Sequence, residues 1–273
     1  MRSDKTGRLR MGMYRIGIVV LGLVLLPQYA AALDGAVPVS SNSTSSALQS
    51  APARSAKAPQ PDAATGVKRA VLAREQASRD VRHIADWVVD SGDNGGLPFV
   101  IIDKTDAKIF VFDASGRIRG TAPVLLGLAR GDDTVPGIGE RELSDIRPEE
   151  RTTPAGRFVA ERGMSTRGVD VVWVDYDSGV SLHRVITSNP RERRLERLAT
   201  PTAADNRISY GCINVPIAFY DKVLSPSFTG TNGIVYVLPE TRPVRQVFGS
   251  YDVEVRHQYA VQAPLNMTIA GAP

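Results

Sequence analysis

The sequence predicts a mainly β fold, a sandwich or barrel, preceded by a helix and holding one or two short helices and long loops. Three observations predict this. Short β-rich runs recur between residues 98 and 240. Turn residues such as Asp113-Ala114-Ser115-Gly116 separate them. Helical signal within that region is sparse, and the best of it is PIAFYDKVL (216–224). Many short strands with few helices favour a sandwich or barrel over alternating β and α units.

Taken in order, the chain opens with Arg2, Lys5, Arg8, Arg10 and Arg15, then an apolar run of 11 residues from Ile16 to Leu26, then Ala30-Ala31-Ala32. This is the layout of a secretory signal peptide over residues 1–32, cut after Ala32. The run is short for a membrane span, so no permanent span is expected unless the signal stays uncleaved. The expected location is therefore outside the cytosol, in the periplasm or cell envelope.

Residues 33–66 hold eight Ala, seven Ser and four Pro and no aromatic residue. Such a stretch buries too little apolar surface to offset the entropy of ordering it. It reads as a flexible tether spanning about 30 Å. Residues 67–97 form an N-terminal helical segment, with a helix expected over 67–90. Val81, Ile84, Ala85 and Val88 follow the i, i+3, i+4, i+7 spacing of one buried face. SGDNGGLP (91–98) ends it.

The strand region, 98–273 with a core at about 98–240, is long enough for one domain. Strands are expected at PFVIID (98–103), KIFVFD (108–113), RIRGTAPVLLG (117–127), FVAERG (158–163), VDVVWVDY (169–176), GVSLHRVI (179–186) and GIVYVLPE (233–240). Two long charged loops interrupt them, 128–152 and 187–206, the second with a helical turn over 190–198. Long loops in compact domains are functional or disordered.

Charge narrows the function. The chain has 33 basic and 29 acidic residues, of which the presumed signal holds five and one, leaving 28 of each. The mature balance gives no electrostatic reason to expect a nucleic-acid partner.

The chain has one cysteine, Cys212, within RISYGCINVP (207–216). In an oxidising compartment a lone thiol is an intermolecular disulfide, a buried inert group or a reactive nucleophile. A Gly-Cys pair among polar residues favours the nucleophile. Such a thiol needs a base or a positive field. Of the three histidines, His83 lies on the leading helix and His257 in YDVEVRHQY, while His183 lies on an expected strand 29 positions before the cysteine. Gly211 permits close approach of the backbone. The amides of Tyr210, Gly211 and Cys212 are candidates for an oxyanion hole. Ser209 and Asn214 are candidate struts of the loop, and Arg207 a candidate grip for a substrate carboxylate. One cysteine and three scattered histidines offer no ligand set for a metal, and the chemistry calls for no cofactor.

SYGCIN (209–214) with an upstream histidine resembles the catalytic signature of the L,D-transpeptidases (YkuD-type), and TPAGRF (153–158) resembles the Thr-Pro-x-Gly-x-Phe stretch of that family. The resemblance covers about residues 98–240. It implies a catalytic Cys212 with His183 as base, peptidoglycan stem peptides as substrates, a thioester intermediate, cross-links in the cell wall as product, and a carbapenem-type β-lactam as covalent inhibitor. Two departures stand out: Tyr210 occupies the place of a second family histidine, and the spacer from His183 to Cys212 is longer than the family's. Tyr210 offers a hydrogen bond but no imidazole charge, which points to reduced activity or altered specificity. Two other readings stay open. One is an envelope thiol hydrolase or L,D-carboxypeptidase; the other is a degenerate module that only binds peptidoglycan.

Overall fold

The computed structural model describes residues 66–260. The expected signal peptide, and the tether apart from its last residue, lie outside the described residues.

The leading helix α1 (Arg79–Ser91) starts at Arg79, not at residue 67. Ser78 stops any earlier turn by capping: its hydroxyl accepts from the Val81 amide and donates to Asp103. Ahead of it the chain makes a turn at residues 73–74, and before that Val71 exchanges backbone hydrogen bonds with Gly116 and Ile118. That pairing holds residues around 71 in a strand-like path whatever their helix propensity. Gly92, at φ 71°, closes the helix with its amide on the Val88 carbonyl.

Ten strands follow: β1 (Phe99–Asp103), β2 (Lys108–Phe112), β3 (Ile118–Pro123), β4 (Leu126–Gly127), β5 (Gly156–Met164), β6 (Asp170–Asp175), β7 (Val180–Arg184), β8 (Arg207–Ser209), β9 (Ile213–Val215) and β10 (Gly233–Val237). Eight form one sheet in the order β3-β2-β1-β10-β5-β6-β7-β9, and β4 pairs with β8. The pairs β1/β10, β7/β9 and β4/β8 are parallel and the others antiparallel. The sheet nearly closes on itself. Just past β3, Leu125 exchanges two backbone hydrogen bonds of 2.9 Å with Asn214 on β9, the opposite edge. Closure of this kind leaves few free edges. The result is the barrel-like, mainly β fold that the runs of short strands predict.

Period-two alternation divides the strands between two apolar cores. Val100, Ile102, Ile109, Val111, Val172, Leu182, Ile213 and Val235 fill the inside of the curled sheet, together with Tyr220 and Leu224 from the helical segment 217–227. Phe99, Ile101, Phe110, Phe112, Ile234 and Tyr236 point the other way, onto Val81, Ile84, Trp87 and Val88 of α1. Phe99 stacks on Phe112 at 4.6 Å between centroids, and Trp87 meets Tyr236 edge-on at 6.3 Å. The amphipathic face read from the sequence is therefore buried against the sheet. Residues 253–260, whose apolar spacing reads as alternation in the sequence, are helical. Among the described residues, no helix is long and apolar enough to cross a membrane.

Ile84 is fully buried between α1 and the sheet, whereas Val159 on β5 is 58% exposed. Ile84→Ala should lower unfolding stability in urea by about 2–5 kcal/mol. Val159→Ala should stay within about 0.5 kcal/mol. Equal effects of the two would mean that α1 is not part of the cooperative core.

Candidate active site

Strand β7 positions His183. Val180 and Leu182 face the inner core, so alternation turns Ser181 away from Leu182 and places His183 and Gly179 on the same face as Ser181. Strand β9 lies parallel to β7 with His183 opposite Asn214. Cys212, two residues before Asn214, then enters the sheet beside Ser181.

The thiol sits in polar company. Its sulfur donates to the Gly179 carbonyl at 3.4 Å and lies 3.7 Å from the Ser181 hydroxyl. The residue keeps partial exposure to solvent. His183 Nδ1 lies 2.7 Å from the Arg184 carbonyl oxygen. A carbonyl only accepts, so Nδ1 carries the proton and Nε2 is the basic nitrogen. Arg184 is itself anchored, by ion pairs to Asp170 at 2.7 Å and Asp221 at 2.6 Å and by stacking on Tyr220 at 4.2 Å. Burial pushes the Cys212 thiol up. The neighbouring His183 and, more weakly, Ser181 outweigh it and hold the thiol below its ordinary value, although the sulfur's own hydrogen bond goes to Gly179.

The other histidines are engaged elsewhere. His83 Nε2 meets the Ser250 hydroxyl at 2.9 Å, and burial lowers its pKa. His257 pairs with Asp90 at 2.8 Å.

The loop around the cysteine is pinned from several sides. Ser209 Oγ donates to the Cys212 carbonyl at 2.6 Å and accepts from the Gly211 amide at 3.1 Å. Gly211 is therefore unavailable as an oxyanion donor. Among the described residues, the amides of Tyr210 and Cys212 donate to no protein acceptor, which leaves these two for the role. Gly211 has φ +133°, and a Cβ there would lie 2.8 Å from the Thr152 carbonyl oxygen. Only glycine fits, on both counts. Asn214 is fully buried and donates to the Cys212 carbonyl at 3.3 Å.

One expectation from the sequence needs correction. Arg207 does not face the thiol as a substrate grip. It is 9% exposed and its guanidinium forks onto Glu240, at 3.1 and 2.6 Å, and onto the Lys104 carbonyl at 2.9 Å. The geometry that suits a substrate carboxylate is spent on an internal one. The charged loop 187–206 packs against the rest of the domain. Its helix α2 (Arg194–Ala199) buries Leu198 against Leu125 and Val185. Arg194, only 12% exposed, donates to Asn214 Oδ1 at 2.7 Å. The insertion thus braces the cysteine loop from behind.

Tyr210, in the place of the family's second histidine, lies under the Arg151 guanidinium, whose carbon is 3.9 Å from the ring centroid. Arg151 is held by the Ile146 carbonyl at 3.1 and 2.9 Å. A cation is present near this position, but it belongs to a different residue.

Four contributors escape a reading of the sequence. Gly179 and Ser181 were legible in principle, because they share a face with His183 at spacing two. Thr153, in TPAGRF, is fully buried, donates to the Gly211 carbonyl at 2.8 Å and accepts from the Gly127 amide at 2.9 Å. Nothing local signals that its hydroxyl reaches a loop 58 positions away. Arg194 likewise shows no local mark that separates it from its exposed neighbours. Among the described residues, no group of three or more His, Cys, Asp or Glu is placed to hold a metal ion.

No family model matches the chain, and no curated protein matches it. Solved structures similar to it are L,D-transpeptidases. The catalytic domain of the enzyme from E. faecium is 16% identical with a TM-score of 0.30, over 52% of this chain and 96% of that one. The L,D-transpeptidase (Yku) from Stackebrandtia nassauensis is 18% identical with a TM-score of 0.32, over 54% and 57%. The LD transpeptidase LdtMt1, solved in complex with imipenem, is 18% identical with a TM-score of 0.29, over 52% and 58%. The chain spans less than two thirds of the length of the last two.

The opposing influences on Cys212 generate a prediction. The pH midpoint of its alkylation by iodoacetamide, with Cys212→Ser as blank, should lie below the value of about 8.5 for free cysteine. In His183→Ala only the weaker Ser181 contacts still oppose burial, and the midpoint should rise relative to the unaltered protein. An unchanged midpoint would remove His183 as the group acting on the thiol.

Proposed function

We propose that the protein is a cysteine-dependent L,D-transpeptidase that cross-links peptidoglycan stem peptides outside the cytosol. The observation that carries this reading is the Gly211-Cys212 loop, where a thiol with lowered pKa lies beside two unpaired amides. The resemblance of SYGCIN and TPAGRF to the family's motifs supplies the substrate class.

The reaction runs as follows. His183 Nε2 takes the thiol proton, and the thiolate attacks the carbonyl carbon that joins the L-centre of a diamino acid to the terminal D-alanine. The carbonyl oxygen becomes an oxyanion facing the Tyr210 and Cys212 amides. The intermediate collapses, the C–N bond breaks, and His183 returns the proton to the departing D-alanine amine. A thioester on Cys212 remains. An amine from a neighbouring stem attacks it, gives its proton to His183 and expels the thiolate, leaving an amide cross-link. Water in place of the amine yields the shortened stem of a carboxypeptidase.

Incubation with purified tetrapeptide muropeptides should yield cross-linked dimers by mass spectrometry, and a carbapenem should leave one adduct on Cys212. Cys212→Ala should lose both. Shortened stems without dimers would assign the hydrolase instead. Cell-wall binding that survives Cys212→Ala, with no adduct on the unaltered protein, would leave only the binding module.

A further inference from the structure

We infer that Thr153 is a positioning residue for acyl transfer: its hydroxyl aims the Cys212 amide at the oxyanion. The inference rests on Cys212 being the acylated nucleophile.

A peptide unit is planar and trans, so the amide N–H of one residue points opposite to the carbonyl of the residue before it. The direction of the Cys212 N–H is therefore set by whatever holds the Gly211 carbonyl. That carbonyl is held by the Thr153 hydroxyl at 2.8 Å. The same reasoning applies one step earlier. The Ser209 carbonyl accepts from the Leu128 amide at 2.9 Å, which fixes the Tyr210 N–H. Both amides left without a protein acceptor are thus aimed from behind, one by a backbone amide and one by a side chain.

Thr153 is suited to hold a direction. It is fully buried. Its hydroxyl has one proton, and the Gly127 amide, a donor only, occupies a lone pair at 2.9 Å. That contact sends the hydroxyl proton toward the Gly211 carbonyl. Its own carbonyl accepts from the Lys104 ammonium at 3.0 Å, which also grips Asp132 at 2.9 Å. Lys104 is fully buried. Lys104, Thr153, Gly211 and Cys212 form one line of contacts from the charged interior to the reacting atom. Gly211, at φ +133°, has no intrinsic preference to hold this orientation unaided.

The test separates aiming from folding and from thiol ionisation. Acylation of Cys212 by p-nitrophenyl acetate passes through an oxyanion; alkylation by iodoacetamide does not. Thr153→Val keeps the shape and removes the hydroxyl. It should lower the rate of acylation relative to alkylation by about tenfold or more, in line with loss of one oxyanion donor, with the alkylation pH midpoint unmoved. Thr153→Ser keeps the hydroxyl and should restore most of the ratio even where it melts earlier than the unaltered protein. Should Thr153→Val not fold, Thr153→Ser against Thr153→Ala in the same ratio decides the matter. A ratio unchanged without the hydroxyl, or lowered equally in Thr153→Ser, would overturn the inference. The probes contain no stem peptide, so a protein that acylates normally and leaves muropeptides untouched would sink the proposed substrate and not the role of Thr153.

Discussion

The parallel pairing of β7 with β9 is the constraint on which the site depends. It sets His183 opposite Asn214, and Cys212 follows from that register by two residues. Parallel neighbours cannot be joined by a tight turn; they need a crossover of about a dozen residues or more. Here the crossover is the segment 185–212, which includes α2, β8 and the cysteine loop. A spacer between His183 and Cys212 is therefore required for the chain to return to the start of β9 in the same direction, and this one exceeds the minimum. It also lets the chain place β8 beside β4 and Leu198 against Leu125 and Val185 on the way, so the connection is packed along its path.

Beneath the loop lies a second constraint, made of charge. Lys104, Asp132, Glu240 and Arg207 are all nearly or fully removed from solvent, two cations against two carboxylates. Burial pulls the Lys104 pKa down while Asp132 and Glu240 oppose it. Burial pushes Asp132 up, but Thr241, Lys104 and backbone amides more than reverse this and hold it well below the usual carboxylate range. Such clusters contribute little net stability compared with apolar packing. What this one provides is position. It ties together the β1–β2 turn, the start of the loop 128–152, TPAGRF, β8 and the chain after β10, segments that no shared strand pairing would hold in register.

The legibility of the sequence follows the range of the interactions. Strands such as Phe99–Asp103 and Lys108–Phe112 are continuous apolar runs, buried on both faces and complete within a few residues, and they lie where the sequence puts them. The buried face of α1 is local in the same sense. The extended path through Val71 is not: it depends on Gly116 and Ile118, some 45 positions onward. Arg207 was misread for the same reason, since its partner Glu240 is 33 positions away. Strands β8 and β9 have only three residues each, too few to show alternation, although they flank the residue that matters most. Cys212, Gly211 and His183 stand out in the sequence because chemistry restricts residue type. The hydroxyl and guanidinium that hold the loop were invisible because any surface threonine or arginine looks alike in sequence.

The thiol's environment shows why these supports accumulate at one place. Burial alone would keep Cys212 protonated, and the carbonyl of Gly179 rewards the protonated form with a hydrogen bond. His183 and Ser181 favour the thiolate. The outcome is a contest between terms of opposite sign, and only the directional terms change steeply with geometry. A small rotation of the imidazole would return the advantage to burial. The bond from Nδ1 to the Arg184 carbonyl opposes that rotation, and Arg184 is fastened at its far end by Asp170, Asp221 and Tyr220. The ion pairs around Arg184 thus act on the imidazole without touching it, by holding the residue whose carbonyl fixes Nδ1.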